Sequence, residues 1–182
     1  MWRTSIVAVL AALALAACGS SQTKTTQSSS VPATSGKPAA GRCSDLKTGY
    51  VSTEGATGHL EVTFSVRNVS KQTCRVGGYP YARLLDASGS TLPMRLRHGH
   101  GFFPDTMRPP RQVVLAPGAR ARFGLSFVTN SEYAGARRCR TVASALAGMP
   151  GWSGSRSVPV SLRGAPRLRP CGDQLVVSPV YA

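Results

Sequence analysis

Alternation of apolar and polar side chains is the clearest structural signal in this chain. In residues 60–67 every second side chain is apolar, and residues 120–128 repeat the pattern. This period of two is typical of strands with one buried face. Shorter stretches that also predict strands cover residues 81–85, 91–96, 112–115, 157–162 and 174–177.

Turn signals separate these stretches. Asp86-Ala87-Ser88-Gly89 and Ala116-Pro117-Gly118 combine residues that favour tight turns. Residues 139–147 alone have a helix-like composition, and glycine and proline follow in residues 148–151. The sequence therefore predicts an all-β fold, an antiparallel immunoglobulin-like sandwich of about seven strands with one short helix near 139–147.

The first residues predict export and lipidation. A short positive start, Met1 to Arg3, precedes an apolar run over residues 6–17, which is too short to cross a bilayer core but suits a signal peptide. Leu15-Ala16-Ala17-Cys18 resembles the bacterial lipobox. We expect a lipoprotein signal peptide over residues 1–17, lipid on Cys18 and attachment to the outer face of the cell membrane; an ordinary signal peptide with a chance cysteine is the alternative.

Composition divides the remaining chain in two. Residues 18–41 are rich in Ser, Thr, Gln, Gly and Pro and contain no aromatic residue, so they bury too little apolar surface to offset the entropy of ordering. We expect a disordered tether there, whose ends lie roughly 25–30 Å apart. Residues 42–182 have the length of one domain with its own core.

Four cysteines remain when Cys18 carries lipid, and an even number outside the cytoplasm predicts two disulfides. Three connectivities are possible for Cys43, Cys74, Cys139 and Cys171. We favour Cys43 with Cys74 and Cys139 with Cys171, because each bridge then closes a loop within one half of the domain. A zinc site is disfavoured, since no two of these cysteines form a CxxC pair.

Several motifs together resemble one family, the actinobacterial domain of unknown function 4232. The resemblance spans residues 42–182, and it implies an exported β-sandwich, usually a lipoprotein of a high-GC Gram-positive bacterium, without an established activity or ligand. The motifs are Cys43-Ser44-Asp45-Leu46, residues 62–70, Cys74-Arg75-Val76-Gly77-Gly78-Tyr79-Pro80, residues 84–89, residues 114–118, and the late Cys139 and Cys171.

Candidate chemistry is sparse. The seven carboxylates fall mostly in predicted turns or on solvent faces, and no pair is placed as acid–base catalysis requires. We therefore expect no enzyme activity and no resident cofactor. The alternative function is extracytoplasmic copper or zinc binding by soft and borderline ligands close in sequence; these are Met94, His98, His100 and Met107.

Positive charge is the remaining functional signal. The chain carries 22 Lys and Arg against 7 Asp and Glu, a formal net charge of +15, and such an excess attracts polyanions. Export removes nucleic acid as a partner, which leaves an anionic wall polymer or an acidic envelope protein; a general role in solubility is the alternative. The arginines that predict an anion-binding surface are Arg95, Arg97, Arg120, Arg122, Arg137, Arg138 and Arg140.

Overall fold

The computed structural model describes residues 40–135, 138–149 and 158–182, and for residues 158–161 it describes the backbone only. Ten strands form its regular structure, together with a single 3₁₀ turn at Pro104–Met107 in this part of the chain. The strands are β1 Leu46–Ala56, β2 His59–Asn68, β3 Cys74–Gly77, β4 Tyr81–Leu85, β5 Arg95–His98, β6 Gln112–Leu115, β7 Arg120–Val128, β8 Ser144–Gly148, β9 Val158–Ser161 and β10 Gln174–Val177.

These strands form three sheets. The largest has the order β1-β2-β7-β10-β5, β3 pairs with β6, and the third has the order β4-β8-β9. Most neighbours are antiparallel, but β5 runs parallel to β10, so the large sheet is mixed. The all-β fold is confirmed, with more strands than the alternation predicted.

One hydrophobic core joins the three sheets, the arrangement of a β-sandwich. Phe64 of β2 stacks on Phe123 of β7, with ring centroids 5.2 Å apart. Leu115 of β6 and Leu84 of β4 are equally buried and belong to the same cluster. The strictly alternating strands β2 and β7 supply the centre of the core because every second side chain of each faces inward.

The helix predicted near residues 139–147 is wrong. Residues 144–148 form β8, which pairs with β4 on one side and β9 on the other. Ala145 and Ala147 are buried while Ser144 and Leu146 are less so, and this alternation fits a strand. The helix-favouring composition is overridden by pairing with two neighbouring strands, since intrinsic propensity is a weak preference.

Both predicted disulfides are present. Cys43 bonds Cys74 at the start of β3, and Cys139 bonds Cys171 just before β10. Beside the first bridge, Arg75 donates its amide to Gly41 O and accepts from Cys43 N. The segment at residues 41–43 therefore occupies the edge of β3 that faces away from β6.

Candidate anion-binding site

Three cations from three neighbouring strands lie in one row on the large sheet. Lys47 of β1 pairs in register with Arg67 of β2, and Arg67 pairs with Arg120 of β7. All three side chains are exposed. Successive side chains of a strand point to opposite faces. Val66 and Ala121, the neighbours of Arg67 and Arg120, are buried in the core, so the row of cations faces outward. Adjacent strands lie about 4.8 Å apart, so the row spans roughly 10 Å.

A fourth cation extends the row along β7. Arg122 lies two residues after Arg120, on the same face, and opposes Ser65 of β2. The backbone of Arg122 exchanges two hydrogen bonds with that of Tyr181, which fixes its position on the sheet. We call Lys47, Arg67, Arg120 and Arg122 the basic face.

The positive charge of the basic face is not neutralised within the described part of the chain. No carboxylate there forms an ion pair with any of the four residues; the ion pair that is present joins Arg108 to Asp105 at 3.1 Å. Arg67 Nε donates instead to the carbonyl oxygen of Gly118, at 3.2 Å. Like charges that oppose each other across strands are unfavourable, so an anion would relieve repulsion here as well as form hydrogen bonds.

The arginines predicted from sequence are divided by the fold. Arg120 and Arg122 belong to the basic face, whereas Arg95 and Arg97 lie on β5, which β10 separates from β7. Two more flank Cys139: Arg138, which is exposed, and Arg140, whose amide donates to Pro170 O. Arg137 lies outside the described residues. Their proximity in sequence therefore does not produce one surface.

Lys47 and Arg67 are not among the anion-binding residues that the sequence predicts. Arg67 closes the alternation in β2, and that pattern alone placed it on the outward face. Its pairing with Lys47 and Arg120 depends on the register of three strands, which includes an irregularity between Tyr50 and Ser52 in β1. A single sequence does not specify that register.

A buried carboxylate lies further along the same face of the sheet. Glu61 of β2 is only 2% exposed, although sequence reasoning placed most carboxylates in turns or on solvent faces. Glu61 Oε2 accepts from Phe102 N at 2.9 Å, Thr106 Oγ1 at 3.1 Å and Ser126 Oγ at 2.8 Å. The carboxylate thus fastens residues 100–107 onto β2 and β7.

Glycine permits this close approach. A Cβ on Gly124 of β7 would lie 2.5 Å from Glu61 Oε1 and 2.6 Å from Thr106 Cγ2, and one on Gly101 would meet the same two side chains. Both glycines are buried. Residues 100–107, which we call the covering segment, therefore lie directly on the sheet. Their contacts with Glu61 and Gly124 leave the basic face, at the other end of β2 and β7, uncovered.

Rings gather where the covering segment meets the β1–β2 hairpin. The centroid of the His59 ring lies 4.3 Å from that of Phe102 and 6.0 Å from that of Tyr133. Phe102 and Tyr133 are 45% and 59% exposed.

Tyr181 fills the space between the basic face and the covering segment. Burial raises the pKa of the Tyr181 phenol above its ordinary value, and the negative charges of Asp105 and Glu61 add to the increase. A hydrogen bond with Thr63 and the charge of Arg122 act in the opposite direction. The phenol therefore stays protonated at neutral pH.

The residues of the alternative metal site have different surroundings. Met94 packs against the core, whereas Met107 is 57% exposed. His98 stacks on Tyr79 with centroids 4.6 Å apart, and His100 is exposed. The described residues contain no group of three His, Cys, Asp or Glu side chains suited to hold a metal ion. Copper or zinc binding stays a prediction that rests on the sequence.

The signal peptide, Cys18 and most of the tether lie outside the described residues. Within the part of the chain that is described, no helix has the length and hydropathy needed to span a membrane.

Comparison with known proteins identifies the domain. The chain matches no curated protein and no solved structure. Residues 42–181 match the model of a family described as a domain of unknown function, DUF4232, which covers nearly the whole sandwich. The chain therefore belongs to the family of the domain of unknown function DUF4232.

Proposed function

We propose that this chain is an exported, lipid-anchored protein of the cell envelope and that its sandwich is a non-catalytic binding module. The basic face is its contact surface, and the ligand is an anionic wall polymer that carries phosphate groups. The in-register row of Lys47, Arg67 and Arg120 is the observation that carries this proposal.

Geometry favours a polymer over a small anion. The row is exposed on the sheet, so it offers several cations to successive charges of an extended chain. Guanidinium groups present a planar fork that matches two phosphate oxygens at once. Three arginines and one lysine on neighbouring strands suit repeated phosphates better than a single ion.

The cellular location is part of the proposal. Support comes from the lipobox at Cys18 and from two disulfides, which persist in oxidising compartments. We further propose an actinobacterial source and an immunoglobulin-like topology, as the family resemblance implies. The parallel pairing of β5 with β10 is a departure from the purely antiparallel pairing expected of that topology.

The tether favours the wall over the membrane as the site of binding. A tether with the reach predicted from the sequence, roughly 25–30 Å, exceeds the Debye length of about 8–10 Å. Attraction to anionic lipid is largely screened at that distance. Polymers farther out remain within reach of the basic face.

Binding of the detergent-solubilised full-length chain to purified poly(glycerol phosphate) tests the proposal. The double variant Arg67→Gln, Arg120→Gln removes two charges from the basic face. Arg95→Gln, Arg97→Gln is its matched control, because it removes the same charge from another strand of the same sheet. Neutral dextran controls for binding that does not depend on charge.

We expect the Arg67, Arg120 variant to weaken polymer binding by about tenfold or more, on the basis of roughly 1 kcal/mol for each lost contact. The Arg95, Arg97 control should change it by less than about twofold, and added salt should weaken wild-type binding. Equal losses in both variants would show that net charge, rather than the basic face, attracts the polymer.

Fractionation tests the anchor separately. Wild-type protein should remain with the membrane fraction, and Cys18→Ser should release the protein or leave its signal peptide uncleaved. A Cys18→Ser protein whose signal peptide is cleaved and that still stays with the membrane fraction would contradict lipid anchoring but would leave the polymer assay unaffected.

A further inference from the structure

A groove runs beside β6, and Lys47, Arg67 and Arg120 are not among its lining residues, although Tyr181 in its wall pairs with Arg122 of the basic face. Its volume is about 460 Å³, and it lies between β6 and the last residues of the chain. Val113, Val180 and Tyr181 give it apolar walls, and Arg108 and Arg111 lie at its margin. It therefore joins a hydrophobic surface to positive charge.

The register of β3 and β6 shows which way the backbone of β6 points. Arg75 of β3 directs its amide and carbonyl to residues 41–43, as its bonds with Gly41 and Cys43 show, and so away from β6. Its cross-strand partner is Val114. In an antiparallel ladder such a pair exchanges no hydrogen bonds, so the amide and carbonyl of Val114 also point away from β3.

The amide and carbonyl of Gln112 point the same way as those of Val114, because Gln112 lies two residues earlier on β6 and pairs with Gly77. Among the described residues, none forms a backbone hydrogen bond with the outward groups of Gln112 or Val114. Val114 is also 60% exposed. β6 is thus an open edge strand, and the groove is lined by consecutive residues of that edge.

We propose that an extended, acidic polypeptide segment of a partner protein binds in this groove as an added strand beside β6. Backbone hydrogen bonds to Gln112 and Val114 provide the pairing, which is how extended peptides add to open sheet edges. Alternate apolar side chains of the segment pack on Val114 and the groove wall. Its carboxylates face Arg111 and Arg108, the second of which also pairs with Asp105.

The positive charge of the domain favours an acidic partner segment in the groove over a second copy of the domain and over the chain's own tether. A second copy of the domain would bring the same excess of positive charge to the groove, since residues 42–182 contain 17 Arg and 2 Lys against 7 acidic residues. The chain's own tether is also unsuited, because residues 19–39 contain Lys24 and Lys37 and no acidic residue. A segment with carboxylates complements Arg111 and competes with Asp105 for Arg108.

The edge is protected against indiscriminate pairing. β6 is only four residues long, and Pro109 and Pro110 lie just before it. Short strands and nearby prolines limit edge-to-edge aggregation. A bound segment therefore needs complementary side chains as well as a free backbone, which favours one class of partner.

A fluorescein-labelled octapeptide of alternating valine and glutamate is the probe, measured by fluorescence anisotropy with the full-length chain in detergent. Val114→Pro removes the outward amide, and an edge strand tolerates proline where its amide faces solvent. Val114→Ala keeps the amide and loses only side-chain contact, so it is the matched control. A peptide of alternating valine and lysine tests the charge.

We expect saturable binding of the valine–glutamate peptide that Val114→Pro weakens at least about tenfold relative to Val114→Ala, or about 1.4 kcal/mol. The valine–lysine peptide should bind about tenfold more weakly than its acidic counterpart, and hydrogen exchange at the Gln112 and Val114 amides should slow when the acidic peptide binds. Arg67→Gln, Arg120→Gln should leave peptide binding unchanged, which separates this site from the basic face.

Equal affinity of Val114→Pro and Val114→Ala would overturn strand addition, and equal affinity for both peptides would overturn the acidic occupant. If Val114→Pro fails to fold, a valine–glutamate peptide N-methylated at alternate residues makes the same test on wild-type protein. Two such peptides are compared: one is methylated on the amides that would face β6 and the other on the amides that would face solvent. Only the first should fail to pair, so equal binding of the two peptides would also refute the proposal.

Discussion

Replacing Glu61 with alanine measures how strongly the segment at residues 100–107 is held on the sheet. In the wild-type protein the buried carboxylate accepts hydrogen bonds from Phe102, Thr106 and Ser126. Alanine removes the acceptor from all three donors at once. The change is buried, so water does not readily replace what is lost.

The expected cost follows from what each donor does afterwards. The Thr106 hydroxyl still has an acceptor, Phe103 O at 2.8 Å. The buried hydroxyl of Ser126 and the part-buried amide of Phe102 lose their partner. An unsatisfied buried donor costs about 1–3 kcal/mol, and a part-buried one lies at the low end of that range. Removing the carboxylate also removes its own desolvation cost, which offsets part of the loss. We expect a net destabilisation of about 2–4 kcal/mol.

Thermal and urea unfolding of wild-type protein, Glu61→Ala and Glu61→Gln measure this cost. A loss of this size should lower Tm by roughly 5–15 °C in a domain of this length. Glu61→Gln keeps one acceptor oxygen but loses its charge, so it should cost about 1–2 kcal/mol. Hydrogen exchange at the Phe102 amide should accelerate in both variants.

Glu132→Ala is the matched control, because Glu132 is an exposed carboxylate that lies outside the strands. It should change stability by less than about 0.5 kcal/mol. If Glu61→Ala costs no more than this control, or if exchange at Phe102 is unchanged, the carboxylate does not fasten the segment and the reasoning fails.

Three further predictions follow from individual side chains. Arg120→Glu places an acid opposite Arg67, so it should stabilise the domain by about 0.2–1 kcal/mol in low salt while weakening polymer binding; lower stability in urea unfolding would contradict the repulsion. The pKa of Asp86 lies below 3.8, and the hydrogen bond from Ser88 is the largest cause. The ionised Asp86 carboxylate therefore contributes to stability above pH 3.8, and this contribution is lost as pH falls through the folded pKa. Asp86→Asn should remove this pH dependence from acid-unfolding curves. The pKa of Tyr181 is raised, so the pH dependence of its contribution to stability runs in the opposite direction. The protonated phenol contributes below pH 10.0, and this contribution is lost as pH rises through the folded pKa. Equal loss of stability at alkaline pH in Tyr181→Phe and in the wild-type protein would refute this prediction.

Much of the sandwich is predictable because its central strands have one buried face. The predicted boundaries of residues 81–85, 112–115, 120–128 and 174–177 agree with β4, β6, β7 and β10. β1 was not predicted, since its polar and glycine-rich sequence, with an irregularity after Tyr50, lacks strict alternation. The strand predicted at residues 91–96 is displaced to β5, Arg95–His98, where parallel pairing with β10 sets its position.

The candidate site was less predictable than the fold. Composition correctly indicated an excess of positive charge, and two of the predicted arginines, Arg120 and Arg122, lie on the basic face. The remaining members come from strands distant in sequence, because register rather than proximity along the chain brings charges together in a sheet. The role of Glu61 was also hidden, since the alternation of β2 places it on the outward face and only the later segment at residues 100–107 covers it.

The outward face of the large sheet therefore has two halves with different consequences for binding. At one end residues 100–107 cover Glu61 and exclude that surface from solvent; at the other, the row of Lys47, Arg67 and Arg120 is exposed. If these halves act independently, Glu61→Ala should loosen the covering segment and change polymer affinity by less than about twofold, since sites without shared partners combine additively. A parallel loss of polymer binding would show that the covering segment forms part of the binding surface, and the basic face would then have to be redefined to include it.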